Sequence, residues 1–407
     1  MLLSKRSAYA SNPIEEEDHL ASQLEKRGKK IYRLNRGDPA KYFPTPKYII
    51  KAYKEALDNG LTSYTAADGA RQLKGAIASR YSRLYGLKLS NEDIIVTAGV
   101  SEALMFLNNA LIDESDMAVI FKPYYPLYHS FLKLSGGIPI LERYDEDNGW
   151  NIHVDSLEKT LGSARKDGKL KRIKYILITN PNNPTGTVLK RSVLKDVVDI
   201  ANEYNVLLIS DEIYDEIIFN KARFTSISEI AKGMPYAILN GASKVYDSTG
   251  FRIGFILVPE DDKDSKLLKD KLRDYAVIRL SVNSPAQFAI SVAISNIREH
   301  KRSISSMVKA IGERANHATK LLNENPLIST VAPGGAFYML PKIDLNALHM
   351  KNDSEFAEML LKEEGIQITR GSGFGAQSHF RIVALPPKEI LDYSINRINA
   401  FCSKHRR

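Results

Sequence analysis

Cysteine is almost missing from this chain: Cys402 is the single one in 407 residues. No intrachain disulfide can form, and such usage suits a reducing compartment, so a cytoplasmic protein is expected. Cys402 falls in the last helical stretch, where packing explains it better than chemistry. Long apolar runs are missing as well. The longest, such as Phe255 to Val258, are strand-sized and far short of a membrane span. Met1-Leu-Leu is followed at once by Ser4, Lys5 and Arg6, which leaves no apolar core for a signal peptide. Neither an internal repeat nor a low-complexity segment is found, and no metal site is expected. Charge of neither sign is scarce: 57 Lys and Arg stand among 48 Asp and Glu, for a net +9. The cations are dispersed. The densest cluster, Lys166-Asp-Gly-Lys-Leu-Lys-Arg-Ile-Lys174, reads as a solvated connection, and Lys404-His-Arg-Arg407 as a short surface tail. That spread argues against nucleic acid as a partner, while the positive field favours small anionic ligands.

What is present is an alternation of strand-like and helix-like segments from about Pro46 onward. Apolar runs at 94–97, 117–121, 138–141, 175–179, 206–210, 237–240 and 254–258 read as seven buried strands. Helical patterns at 69–85, 101–111, 189–204 and 264–276 fall between them. This order predicts an α/β fold with a mostly parallel seven-stranded sheet covered by helices on both faces. A long helical region over 285–323 then carries the chain away. The remainder, with strands at 335–340 and 381–384, forms a smaller α+β domain together with the amino-terminal segment.

Four segments at strand ends carry the chemistry. Tyr175-Ile-Leu-Ile-Thr-Asn-Pro-Asn-Asn-Pro-Thr-Gly186 is a buried strand breaking into an Asn- and Pro-rich loop that presents Asn183. Alone it could be a plain tight turn. Val206-Leu-Leu-Ile-Ser-Asp211 ends in an acid, with Tyr214 three residues on; Asp211 by itself reads equally well as a helix N-cap. Ala237-Ile-Leu-Asn-Gly-Ala-Ser243-Lys244 ends in a serine and a lysine, and Gly250-Phe-Arg252-Ile-Gly254 follows directly. Ligands of open α/β sheets bind beyond the carboxyl ends of the strands. An amide, an acid, a phenol, a lysine and an arginine gathered there are the groups pyridoxal 5'-phosphate requires.

In this combination the chain resembles the fold-type-I pyridoxal-phosphate aminotransferases of the aspartate-aminotransferase superfamily, over nearly its whole length from about Leu34. Within them it is most similar to archaeal alanine aminotransferases, through Lys244-Val-Tyr-x-x-Thr-Gly, Arg279-Leu-Ser-Val-Asn-Ser-Pro-Ala-Gln287, Gly371-Ser-Gly-Phe-Gly375, His379-Phe-Arg381 and Leu385-Pro-Pro387. The resemblance implies a large cofactor-binding domain over 46–290 and a small domain built from 1–45 and 291–407. It implies that Lys244 carries the cofactor and moves the substrate proton, and that Asp211 keeps the pyridine nitrogen protonated. Asn183 and Tyr214 match the residues at the ring oxygen, and Tyr125 the aromatic stacked on the ring, with Tyr124 as its neighbouring competitor. Val100 and Ser101, at the turn Thr97-Ala-Gly-Val-Ser101, match the phosphate contacts together with Arg252.

Arg381 matches the arginine that grips the substrate α-carboxylate. Gly37 matches a backbone position beside that carboxylate, or else is a plain turn glycine. Tyr64 matches a tyrosine that reaches the phosphate of a neighbouring subunit, which implies a homodimer with shared sites. Arg279 is a candidate for the second carboxylate of glutamate, or else a surface charge. Two departures stand out. Val100 replaces a small residue common in the family, and Gly241 replaces the hydroxyl residue three positions before the lysine, leaving Ser243 as its only close substitute.

The implied reaction is amino transfer between an amino acid and a 2-oxo acid, alanine with 2-oxoglutarate or pyruvate favoured. Aromatic, aspartate or branched-chain specificity and a β-lyase on the same scaffold remain alternatives. A cofactor-responsive regulator does not fit, because 30 amino-terminal residues are too few for a helix-turn-helix domain.

Overall fold

The computed structural model describes residues 2–260 and 262–406. Met1 and Arg407, the outer ends of the two terminal segments discussed above, lie outside the described residues. At the centre is an eight-stranded sheet. Its order is Ile94–Thr97, Gly254–Leu257, Tyr236–Gly241, Leu207–Asp211, Ile173–Thr179, Met117–Lys122, Ile138–Asp145 and Asn151–Ile152. The pairings from Tyr236–Gly241 through Ile138–Asp145 are parallel, whereas Gly254–Leu257 runs antiparallel to both its neighbours. Alternate residues of each strand serve different cores. Ile176 and Ile178 pack into one apolar cluster, and Tyr175 and Leu177 into the other. Each such buried side chain contributes about 1.5–3 kcal/mol, which is why these strands carry almost no polar residue until their ends.

The eighth strand, missing from the sequence reading, is the two-residue Asn151–Ile152, paired antiparallel with Tyr144 and Asp145. Two residues leave no periodicity to read. The strand expected over 138–141 continues to Asp145, with the alternating exposure of a sheet margin. The helical region over 285–323 is two helices, Ser284–Ser295 and Ile297–Asn323. Asn296 divides them and caps the second by accepting from Glu299 N at 3.3 Å. Of the strand expected over 335–340 only Tyr338–Met339 joins a ladder, against Phe380–Val383. Gly335 and Ala336 spend their N–H groups on the carbonyls of Gly186 and Ile217. The basic carboxyl-terminal segment is less free than its composition suggests: Lys404 and His405 close the helix Lys388–His405 and both bind Glu363.

A smaller sheet domain holds Tyr338–Met339, Phe380–Val383 and Thr369–Arg370. Tyr32 and Arg33, near the amino terminus, pair in parallel with Ile366 and Gln367. Asp18, on the helix Pro13–Lys26, ties that junction by accepting from Asn35 at 2.9 Å, Gln367 at 2.7 Å and Arg36 Nε at 2.7 Å. Burial alone would raise the Asp18 carboxyl, but these donors outweigh it and hold it below its ordinary range.

Strand direction explains where the reactive side chains gather. All the parallel strands, and Ile94–Thr97 with them, end on one edge of the sheet. Gly254–Leu257, running the other way, begins there and brings Arg252 to the same edge.

Candidate active site

At that edge lies a cavity of about 200 Å3. Its walls include Gly37, Val100, Ser101, Tyr125, Asn183, Asp211, Tyr214, Ser243, Lys244, Arg252 and Arg381. The structure thus brings together all but two of the residues singled out for cofactor and substrate. One exception is Tyr64, which is 78% exposed and lies on the outside of the chain. Arg279 is not brought to the cavity either. It pairs with Glu102 at 2.8 Å and donates to the carbonyls of Ala67 and Val96.

Lys244 Nζ donates to the Gly37 carbonyl at 2.6 Å. Desolvation depresses its pKa to about 8, with Arg252 and Arg381 lowering it further against the pull of Asp38 and Asp211. An amine near 8 is partly neutral at physiological pH, as a proton carrier must be. Asp211 closes the strand Leu207–Asp211, 3% exposed. Desolvation raises its pKa to about 6, opposed by the Tyr128 hydroxyl, the Ile213 N–H and Lys244. Tyr128 Oη donates to Asp211 Oδ2 at 2.7 Å and accepts from Thr179 Oγ1 at 2.9 Å. No helix directly follows Asp211, so the N-cap alternative does not hold; its Oδ1 accepts from Ile213 N at 3.1 Å within a turn.

The helix Val100–Leu111 starts at this edge, and its N-cap Gly99 offers no side chain. The first N–H groups of a helix have no intrahelical acceptor and suit an anion. A Cβ on Gly99 would stand 2.3 Å from Arg252 Nη2, and its φ of +82° already favours glycine. Val100 therefore costs nothing: it contributes backbone, and the close approach is made by Gly99. Arg252 is held by the Thr249 carbonyl at 2.9 Å and reaches Ser243 Oγ at 3.5 Å. Helix start and guanidinium together can hold a dianion.

The Gly241 departure has a steric cause. Gly241 pairs with Gly254, and a Cβ there would lie 2.6 Å from the Ile253 carbonyl oxygen and 2.9 Å from Gly254 Cα. Backbone atoms cannot yield cheaply. Gly241→Ser is therefore expected to lose about 1–3 kcal/mol of stability, read as a lower urea midpoint, and to gain no affinity for phosphate.

Arg381 enters from the smaller sheet, 1% exposed, between the rings of Tyr338 and Phe374 at 4.8 and 4.5 Å. It donates to Asn183 Oδ1 at 3.1 Å and to the Asn35 carbonyl, while its Nε has no hydrogen-bond partner among the described residues. Asn183 is free to face the cavity because Asn180 and Asn182 hold the loop, through Leu189 N and Thr185. Tyr214 Oη meets Tyr338 Oη at 2.9 Å. Of the two neighbouring tyrosines, Tyr125 lines the cavity, and Tyr124 stacks on His129 instead.

Sequence reasoning missed Tyr128, Tyr338, Thr249 and Ile14, all of which line the cavity. Ile14 has a local signal, the Asn12-Pro13 helix start whose Asn12 accepts from Ile14 N at 3.2 Å. Among the described residues no cluster able to hold a metal ion is found.

Such a fold gathers its reactive groups at the strand ends, where open α/β sheets bind small ligands. The chain belongs to the aminotransferase class I and II family, whose model matches residues 29–398. It is an aminotransferase. An alanine aminotransferase of Mycobacterium bovis is 33% identical over 394 residues, 95% of this chain and 89% of that protein. A glutamate-pyruvate aminotransferase of Escherichia coli is 32% identical, covering 95% and 94%. Among solved structures, an alanine aminotransferase from Pyrococcus furiosus superposes with a TM-score of 0.92 at 36% identity, over 99% of this chain and 100% of that one.

Proposed function

We propose that this aminotransferase exchanges an amino group between alanine and 2-oxoglutarate, with pyridoxal 5'-phosphate in the cavity described above. The observation that carries the reading is Arg381: a buried guanidinium with an unpaired Nε, facing the same cavity as the Lys244 amine. A carboxylate common to every substrate of the cycle would satisfy it. Alanine is favoured by the names of the relatives. The cofactor fits the chain's own features: the cradle a Cβ on Gly99 would fill, and an acid held without a cationic side chain bonded to it.

When bound, the cofactor supplies an electron sink for charge developing at the substrate α-carbon. The N–H groups of Val100 and Ser101, with Arg252 and Ser243, hold its phosphate. Asp211 would keep a proton on the ring nitrogen, with Tyr128 and Thr179 orienting that carboxylate. Asn183 and Tyr214 would hydrogen-bond the ring oxygen, and Tyr125 would cover the ring and exclude water. Lys244 would carry the cofactor, and its free amine would take and return the proton of the substrate α-carbon. Gly37 offers its carbonyl to that amine. Arg381 would hold the substrate α-carboxylate and so orient the α-carbon toward the Lys244 amine. In this reading residues 46–290 form the cofactor domain and 1–45 with 291–407 the small one. A second copy completes each site with its Tyr64.

A second specificity is favoured by one relative, an asparagine–oxo-acid transaminase of Streptococcus mutans at 31% identity. A panel of amino donors against pyruvate and 2-oxoglutarate separates the two. Alanine with 2-oxoglutarate is expected to give the largest kcat/KM. Arg381→Lys should weaken donor and acceptor half-reactions together, because an ammonium cannot reproduce the fork. Very unequal losses in the two half-reactions would sink the shared grip.

A further inference from the structure

Behind the cavity, away from any substrate, lies a buried polar network that none of the roles above uses. Asp215 Oδ2 accepts from Arg80 Nη2 at 2.8 Å, Tyr85 Oη at 2.7 Å and Asn240 Nδ2 at 3.0 Å. Asp215 directly follows Tyr214, and Asn240 precedes Lys244 by four residues. The Asn240 amide cannot flip, because its Oδ1 accepts from Gly241 N at 2.7 Å. A second tie runs through the same guanidinium. Arg80 Nη2 donates to Glu216 Oε1 at 2.6 Å, Glu216 meets His300 Nε2 at 3.1 Å, and the His300 ring lies 4.4 Å from that of Tyr246. Tyr246 is two residues past Lys244. The loop carrying Tyr214 is thereby fastened to the loop carrying Lys244 on both sides of the lysine.

We propose that the Arg80–Asp215 pair is a positioning element that sets the spacing between Tyr214 and Lys244. This inference rests on the reading that both residues face one cofactor. Stability is a poor reason for such a network. Charges at 2% and 3% exposure forfeit their hydration, and packed apolar residues of equal volume often stabilise a fold as well or better. Arg80 Nε and Nη1 and Asp215 Oδ1 even lack partners among the described residues, which costs further. What the pair supplies is direction: three donors converging on one oxygen, two from the helix Arg71–Tyr85 and one from the end of the strand Tyr236–Gly241, fix the loop that carries Tyr214 against the strand that leads to Lys244. Groups acting on one ligand tolerate only about 0.5 Å of play.

The test uses the full-length protein with Asp215→Asn and, separately, Asn240→Ala, which cuts the tie between the loops but leaves the ion pair. With pyridoxal 5'-phosphate bound, the pH midpoint of the visible band is expected to move by at least about half a unit. The kcat should fall about ten- to a hundredfold, with KM for the amino donor changed less than about threefold. In cofactor-free protein, competitive acylation of Lys244 should titrate at higher pH than in the wild type, since a loosened loop relieves the desolvation that depresses it. A lower urea midpoint with band, kcat and labelling unchanged would show a structural role only and overturn the proposal. Should Asp215→Asn fail to fold, Asn240→Ala decides by the same readouts. Failure of the wild type to bind the cofactor would instead refute the reading of the site, and the labelling midpoint in cofactor-free protein still decides the positioning role.

Discussion

Lys244→Ala is expected to lower turnover by at least about 10⁴-fold, the upper range for one positioned acid–base group, since attachment and proton transfer go together. Borohydride reduction of the wild type should fix the cofactor on the peptide holding Lys244, and the variant should yield no such label. Label on any other lysine would refute the assignment. The same variant tests the second subunit. Mixed with Tyr64→Ala, unfolded and refolded, half the dimers should be hybrids with one site lacking both groups and one intact. Activity should return to about a quarter of wild type in a two-fold dimer. If Tyr64 served its own chain, every hybrid site would be damaged and no recovery would appear.

Asp211→Asn should keep the fold, because the amide oxygen can still accept from Ile213 N while its NH2 donates to the Tyr128 hydroxyl, yet lose about 3–4 kcal/mol of transition-state stabilisation, or 10²–10³ in kcat. The pH dependence follows from the same carboxyl. Its pKa in the cofactor-free cavity is raised to about 6, so the charged form is present above that value and lost below it. A cationic ring beside it would bring the midpoint back below that value. Wild-type kcat/KM should therefore fall only as pH drops below about 6, and the Asn variant should lack that acid limb. Near-normal turnover in the variant at neutral pH would reject the charge role.

Strands and strand-end groups were legible because they are local. A buried strand declares itself by a run such as Tyr175 to Thr179, and its end by the first polar residue. The cavity's second ring was not, because it is made by contacts far apart in sequence. Tyr128 reaches Asp211 across 83 positions and Tyr338 reaches Tyr214 across 124, and neither has a neighbour that betrays it. The break at Asn296 was readable in retrospect, since Asn296-Ile-Arg-Glu299 is an N-cap placed inside a helical pattern. Gly241 shows the opposite case. Its difference from the family is plain in the sequence, while its cause, the approach of Gly254, is visible only in the sheet register.

The parallel pairing of Tyr32 and Arg33 with Ile366 and Gln367 has a consequence for biosynthesis. Everything that would hold the cofactor ring and phosphate within one chain has been translated once Arg252 is made. The carboxylate grip proposed for Arg381 would also need the docking of Tyr32 and Arg33 onto Ile366 and Gln367. At roughly 10 residues per second the ribosome takes some ten seconds to travel from Arg252 to Arg381. A nascent chain can thus shape its cofactor cradle well before it has any means of seizing a substrate.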